Sequence, residues 1–193
     1  ASGVLTNVVS TGAIATRITL TNDDTITTGN GDDTIAGGYD ADTINAGAGD
    51  DVILGDNGQA TFNNLAILTS ITSTDNHTGG NDVITTNTGN DIAFGGYGVD
   101  YINVQNDTAH TLLSDDGNDI LVGDNATAIF ITDGIDTIET NAGQGSEDYI
   151  HSTNGQDVIL GGKAGDFLST GIDTSRDIIL GDLGKLTFTT NNN

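Results

Sequence analysis

Isolated large apolar side chains recur every nine residues early in this chain, each between small neighbours and each followed by a glycine-rich break. The first run is Ile26, Ile35, Ile44, Ile53 and Phe62. A period of nine fits neither an amphipathic helix nor a long alternating strand. It fits three-residue strands whose central side chain points inward while its neighbours point outward, joined by turns that glycine makes accessible. TGNGDDTIA (28–36), GGYDADTIN (37–45) and AGAGDDVIL (46–54) show the unit. HTGGNDVIT (77–85), TNTGNDIAF (86–94), GGYGVDYIN (95–103), SDDGNDILV (114–122), STNGQDVIL (152–160) and GGKAGDFLS (161–169) repeat it. The pattern predicts an all-β solenoid held together by neighbour-on-neighbour stacking.

A longer rhythm overlies the short one. GDNGQATFN (55–63), GDNATAIFI (123–131) and GDLGKLTFT (181–189) are copies of one terminator, with Ala60, Ala128 and Leu186 where an acid is expected and Phe62, Phe130 and Phe188 in the apolar slot. They divide the chain into three super-repeats of about 60 residues: 19–63, 64–131 with its connecting segment, and 132–193 with a short tail. Each is expected to close in a turn without a metal. Residues 1–18, rich in Val, Ile and Thr, read as a β cap or docking segment.

The strands differ in what they show outward. Thr25/Thr27, Thr43/Asn45 and Thr61/Asn63 predict one polar face. Val52/Leu54, Ile92/Phe94, Ile120/Val122, Val158/Leu160 and Ile178/Leu180 predict strands apolar on both sides, which need cover on both. The candidates are residues 65–71, the terminator strands, the N-terminal segment 4–20 and a second molecule.

The polar slots carry the chemistry. Asp24, Asp33, Asp42 and Asp51 lie nine apart, and the same slot holds Asp82, Asp91, Asp100, Asp119, Asp136, Asp148, Asp157, Asp166 and Asp177. A single Asp-Gly run would be an ordinary solvated turn; contiguous copies at fixed spacing are not. Calcium takes six to eight oxygens with little directional demand. Aspartate is short enough to supply one from the end of a tight turn whose carbonyls supply others.

These segments resemble the RTX family, whose repeat is written G-G-x-G-x-D-x-U-x. GGYGVDYIN matches every fixed position, and GGYDADTIN lacks only the fourth-slot glycine. The resemblance covers roughly residues 19–189, with gaps at 64–76, 104–113 and 140–147. It implies a right-handed parallel β-roll with two nonads per coil and calcium-binding turns. The turns would be built on the thirteen aspartates together with Gly29, Gly31, Gly38, Gly47, Gly49, Gly96, Gly98, Gly117, Gly155 and Gly162. At 18 residues per coil, Asp24 and Asp42 would share one edge of the roll, and Asp33 and Asp51 the other. Each ion would bridge successive coils, giving roughly ten Ca2+ in all. Longer spacings before Asp148 and Asp177 depart from the family pattern.

Composition narrows the function. Twenty-eight acidic against four basic residues give a formal charge of −24. Such a chain attracts cations and repels nucleic acid and anionic membranes. No apolar stretch is long enough to span a membrane, and with no cysteine there is no disulfide. His77, His110 and His151 are isolated, and neither a zinc-protease helix nor a serine-hydrolase elbow is present, so no enzyme activity is expected. The expectation is an extracellular, calcium-dependent structural module of an adhesin, surface layer or matrix filament, self-associating through its apolar strands or N-terminal segment. The alternatives are an ice- or polysaccharide-binding face, and the repeat domain of a larger secreted enzyme or toxin.

Overall fold

The computed structural model describes residues 7–9, 23–131, 134–141 and 143–189. Its eighteen strands, numbered in chain order, form three six-stranded sheets, with no helix among the described residues. The first sheet is parallel and contains β2 (Thr25–Thr27), β4 (Thr43–Asn45), β8 (Val83–Thr85), β10 (Tyr101–Ile102), β14 (Tyr149–His151) and β16 (Phe167–Ser169), stacked in that order. The second is also parallel: β3 (Thr34–Gly38), β5 (Val52–Asp56), β9 (Ile92–Gly96), β11 (Ile120–Asp124), β15 (Val158–Gly162) and β17 (Ile178–Asp182). The chain alternates between these two sheets, which gives the β-roll its coils.

One side chain per nonad fills the space between the parallel sheets. Ile44, Ile53, Ile84, Ala93, Ile102, Leu121, Ile150 and Ile159 are wholly buried there, with Ile26 and Leu168 half-buried towards the ends. This is the inward slot that the nine-residue period identifies.

The third sheet is antiparallel: β1 (Asn7–Val9), β6 (Gly58–Phe62), β7 (Leu68–Ser73), β12 (Ala126–Ile131), β13 (Gly134–Thr140) and β18 (Lys185–Thr187). It covers the outer face of the second sheet. Val52, Leu54, Phe94, Ile120, Val122, Val158 and Leu160 pack there against Ala60, Ile71, Ala126, Ala128 and Ile138. Burying each of the larger side chains contributes about 1.5–3 kcal/mol. The doubly apolar strands are therefore covered from within the chain. Within residues 4–20, only 7–9 fall in the described structure, as the edge strand β1; the rest of that segment lies outside it.

The terminators differ from the expectation. They are not metal-free turns of the roll but strands that leave it. Ala60, Ala128 and Leu186 sit on the third sheet, where they pair with Val8, Ile71 and Ile138 respectively. Phe62, Phe130 and Phe188 pack on the same apolar layer. The chain goes out along β6 and returns along β7, then repeats the excursion with β12 and β13. The divisions expected after residues 63 and 131 fall between the two strands of these hairpins.

Thr61 and Asn63 are thereby removed from the polar face. In the first sheet Thr25 and Thr43 are followed in register by Val83, Tyr101, Tyr149 and Phe167. The rings of Tyr101 and Tyr149 stack with centroids 5.1 Å apart, and His110 lies 4.0 Å from Tyr149. The outer face thus changes from threonine to aromatic along its length.

Candidate metal centre

Two columns of aspartates run along the edges of the roll. The first is Asp24, Asp42, Asp82, Asp100, Asp148 and Asp166. In each step the backbone N–H of one aspartate donates to Oδ1 of the next, at 2.7–3.1 Å. The second is Asp33, Asp51, Asp91, Asp119, Asp157 and Asp177, with steps of 2.8–3.2 Å. Twelve of the thirteen sequence-identified aspartates fall into place, including Asp148 and Asp177 after irregular spacings. Asp42 and Asp82 are neighbours although 40 residues apart, and Asp100 and Asp148 although 48 apart. The intervening residues form excursions that leave the stacking intact.

The assignment of Asp136 to a calcium-facing slot is corrected. It lies in β13 of the covering sheet, where its carbonyl accepts from Phe188 N–H, outside both columns. The IDTI run around it resembles a nonad core, and Gly134 holds the fourth slot at φ 123°, but both belong to a seven-residue strand of the covering sheet.

Close backbone approach explains Gly47, Gly49, Gly98, Gly117 and Gly155. A Cβ built on Gly117 would lie 1.5 Å from the Gly89 carbonyl oxygen, so nothing larger fits between these coils. Of the ten expected turn glycines, all but Gly29 and Gly117 have positive φ. Where GGYDADTIN lacks its fourth glycine, Asp40 itself adopts φ 69°.

The columns fit calcium by two independent features. Oδ2 of Asp42, Asp51, Asp82, Asp91, Asp100, Asp119, Asp148 and Asp166 is buried and has no hydrogen-bond partner. A buried carboxylate oxygen without a partner is costly unless a cation or a proton meets it. In the first column, Oδ2 of Asp42, Asp82, Asp100, Asp148 and Asp166 also faces space that only glycine leaves open. A Cβ on Gly55 would lie 2.3 Å from Asp82 Oδ2 and 2.6 Å from the Gly95 carbonyl. Carboxylate and carbonyl oxygens thus converge as a hard divalent ion requires.

Without an ion the carboxyls hold protons strongly. Burial, followed by neighbouring aspartate charges, pushes Asp56 up to about 8 from an ordinary 3.8. Burial is also the main cause that raises Asp91 to about 7 and Asp42 to about 6, against the lowering effect of the backbone N–H each accepts. Asp100, Asp119 and Asp148 are raised by burial as well.

Sequence reasoning missed three buried acids. Asp56 and Asp124 follow the glycine in GDNGQATFN and GDNATAIFI, and they occupy the second turn slot, in register with Gly38 and Gly96. At these points the turn is split. Gly55 and Asp56 begin it, the β6–β7 excursion intervenes, and Gly80 to Asp82 complete it. Asp56 closes the break by accepting from Gly80 N–H at 3.0 Å and from Tyr97 N–H. Asp124, at the β12–β13 excursion, likewise accepts from Lys163 N–H. The recurrence of GD in all three terminators was the available signal. The third is Asp115, buried beside Asp91 and Asp119.

A family model described as the RTX calcium-binding nonapeptide repeat (4 copies) matches residues 19–53, 27–61, 78–108, 130–168 and 143–176. No curated protein and no solved structure matches the chain. With family matches covering more than half of its length, the chain belongs to the RTX calcium-binding nonapeptide repeat family.

Proposed function

We propose that this chain is an extracellular structural module that folds on binding calcium along both aspartate columns and serves an adhesin, surface layer or matrix filament. The observation that carries the reading is the row of buried, unpartnered Oδ2 atoms at successive steps of both columns. The residues named are the twelve column aspartates with the turn glycines around them. Five steps in each column would hold about ten ions, one per pair of stacked aspartates. Those ions would offset most of the −24 charge. Neither the inward row nor the apolar layer under the third sheet relieves that repulsion, so in this reading folding and metal binding form one event.

The reading extends to a right-handed roll of three super-repeats. Support comes from the strong handedness rule for parallel crossovers and from the recurring terminators. Secretion fits the family and the acidic surface. The role is structural rather than catalytic: the buried acids are taken up by backbone N–H groups and, in this reading, by calcium. Among the described residues no helix is long and apolar enough to cross a membrane.

Circular dichroism with a calcium titration tests the core of the reading. A β-sheet signal should appear with calcium and vanish in excess chelator at neutral pH; an unchanged spectrum in chelator would overturn it. Electron microscopy with and without calcium tests self-assembly, and monomers under both conditions would remove the filament role.

A further inference from the structure

The steps of the second column are not equivalent. Around Asp91 and Asp119 a third carboxylate enters, that of Asp115, and oxygens of all three lie within 4.8 Å of one another. The three residues are at most 2% exposed, and the Oδ2 atoms of Asp91 and Asp119 have no hydrogen-bond partner. Asp115 is held in place rather than caught there by chance. Its Oδ1 accepts from Thr86 Oγ1 at 3.2 Å and from Asp116 N–H at 3.0 Å, and its Oδ2 accepts from Asn103 Nδ2 at 3.1 Å. Thr86 and Asn103 are themselves fully buried, and Asn103 Oδ1 accepts from Thr86 N–H at 2.9 Å.

The feature is local. Bridges joining Ala48, Thr88, Asp116 and Asn154 set the register of the turns on this edge. The residue before each is Gly47, Asn87, Asp115 and Thr153, so only one of these four turns places an acid there. Among the described residues no other group of three acids is gathered this closely. A cleft of about 430 Å3 opens on Asp115 between Asn87, Thr88, Ser114 and Asn154, and offers an ion a route in.

Resting on the calcium reading above, we propose that Asp115 is a third acid ligand at the Asp91–Asp119 step. It makes that step the tightest calcium site of the chain and the first to accept a trivalent lanthanide. The physical reason is ligand charge. Hard cations bound by oxygen gain affinity with each added carboxylate in a held geometry, and the gain grows with the charge of the ion.

Isothermal titration calorimetry on the full chain tests this, comparing wild type, Asp115→Asn and Asp116→Asn. Asp116 is exposed, so its substitution removes the same charge from outside the cluster. Wild type and Asp116→Asn should show one calcium bound at least about tenfold more tightly than the rest, and Asp115→Asn should lose that class while still binding calcium elsewhere. Equal titrations for all three chains would overturn the assignment and leave the calcium reading standing; absence of calcium binding would overturn both. Lanthanum competition on the calcium-loaded wild-type chain gives a decision without any variant. One calcium per chain should be released at about tenfold lower La3+ than the remainder, and a single displacement curve for every ion would refute the proposal.

Discussion

Acid should replace calcium in folding this chain, and the effect can be sized from one residue. Asp56 is 3% exposed and titrates near 8 in the folded, metal-free chain against an ordinary 3.8. Because the folded value is the higher one, protonation favours the folded state. The favourable contribution is complete below pH 3.8 and disappears as pH rises through the folded values, which run from about 6 at Asp42 through about 7 at Asp91 to about 8 at Asp56. At pH 7, holding Asp56 folded costs about 4 kcal/mol relative to the unfolded chain, at about 1.4 kcal/mol per pH unit above its ordinary value. Whole domains are stable by about 5–15 kcal/mol, and Asp42, Asp51, Asp82, Asp91, Asp100, Asp119, Asp148, Asp157 and Asp166 shift in the same direction. The calcium-stripped chain should therefore be unfolded at pH 8 and gain β structure as pH falls towards 4. With calcium the order reverses, since calcium requires the ionised carboxylates and protons compete with it. Far-UV circular dichroism from pH 3.5 to 8.5, with and without calcium and with soluble protein confirmed by sedimentation, reads both curves. A stripped chain with full β signal at pH 8, or one equally unfolded at pH 4 and pH 8, would refute the reasoning.

Substitutions should separate the two apolar layers from the metal columns. Phe94→Ala removes a fully buried ring between the second and third sheets and should lower stability in saturating calcium by about 3–5 kcal/mol, measured by urea denaturation; a loss below 1 kcal/mol would mean that the third sheet does not cover this face. Asp100→Asn removes a wholly buried column carboxylate and should raise the calcium concentration for half-folding by about tenfold. Asp136→Asn lies outside the columns and should leave that midpoint unchanged; a comparable rise would return Asp136 to the set of ligands.

Much of the candidate site was legible locally. A glycine turn, an aspartate and an inward aliphatic two residues later form a self-contained unit, so Asp24, Asp33, Asp42 and Asp51 could be assigned to alternate edges by counting. The same counting failed at IDTI (135–138), which copies the end of a nonad but lies within one strand of the covering sheet. It also passed over Asp56 and Asp124, which sit in a slot that the family pattern gives to glycine.

What the sequence determined by itself is therefore the repeating unit, its inward residue and the metal chemistry of its turns, because these depend on neighbours within nine residues. Only the tertiary structure decided which units stack across an excursion. Asp42 meets Asp82, and Asp100 meets Asp148, because the intervening hairpins leave the roll and return at the same edge. Spacing does not encode this, since lengthening an excursion changes its closure entropy only slowly. The same excursions supply the cover that Val52, Leu54, Phe94 and Val122 require. They turn Ala60, Ala128 and Leu186 from expected empty turns into strand residues, while Asp115, in the same turn as Asp119, is held beside Asp91 by long-range hydrogen bonds from Thr86 and Asn103.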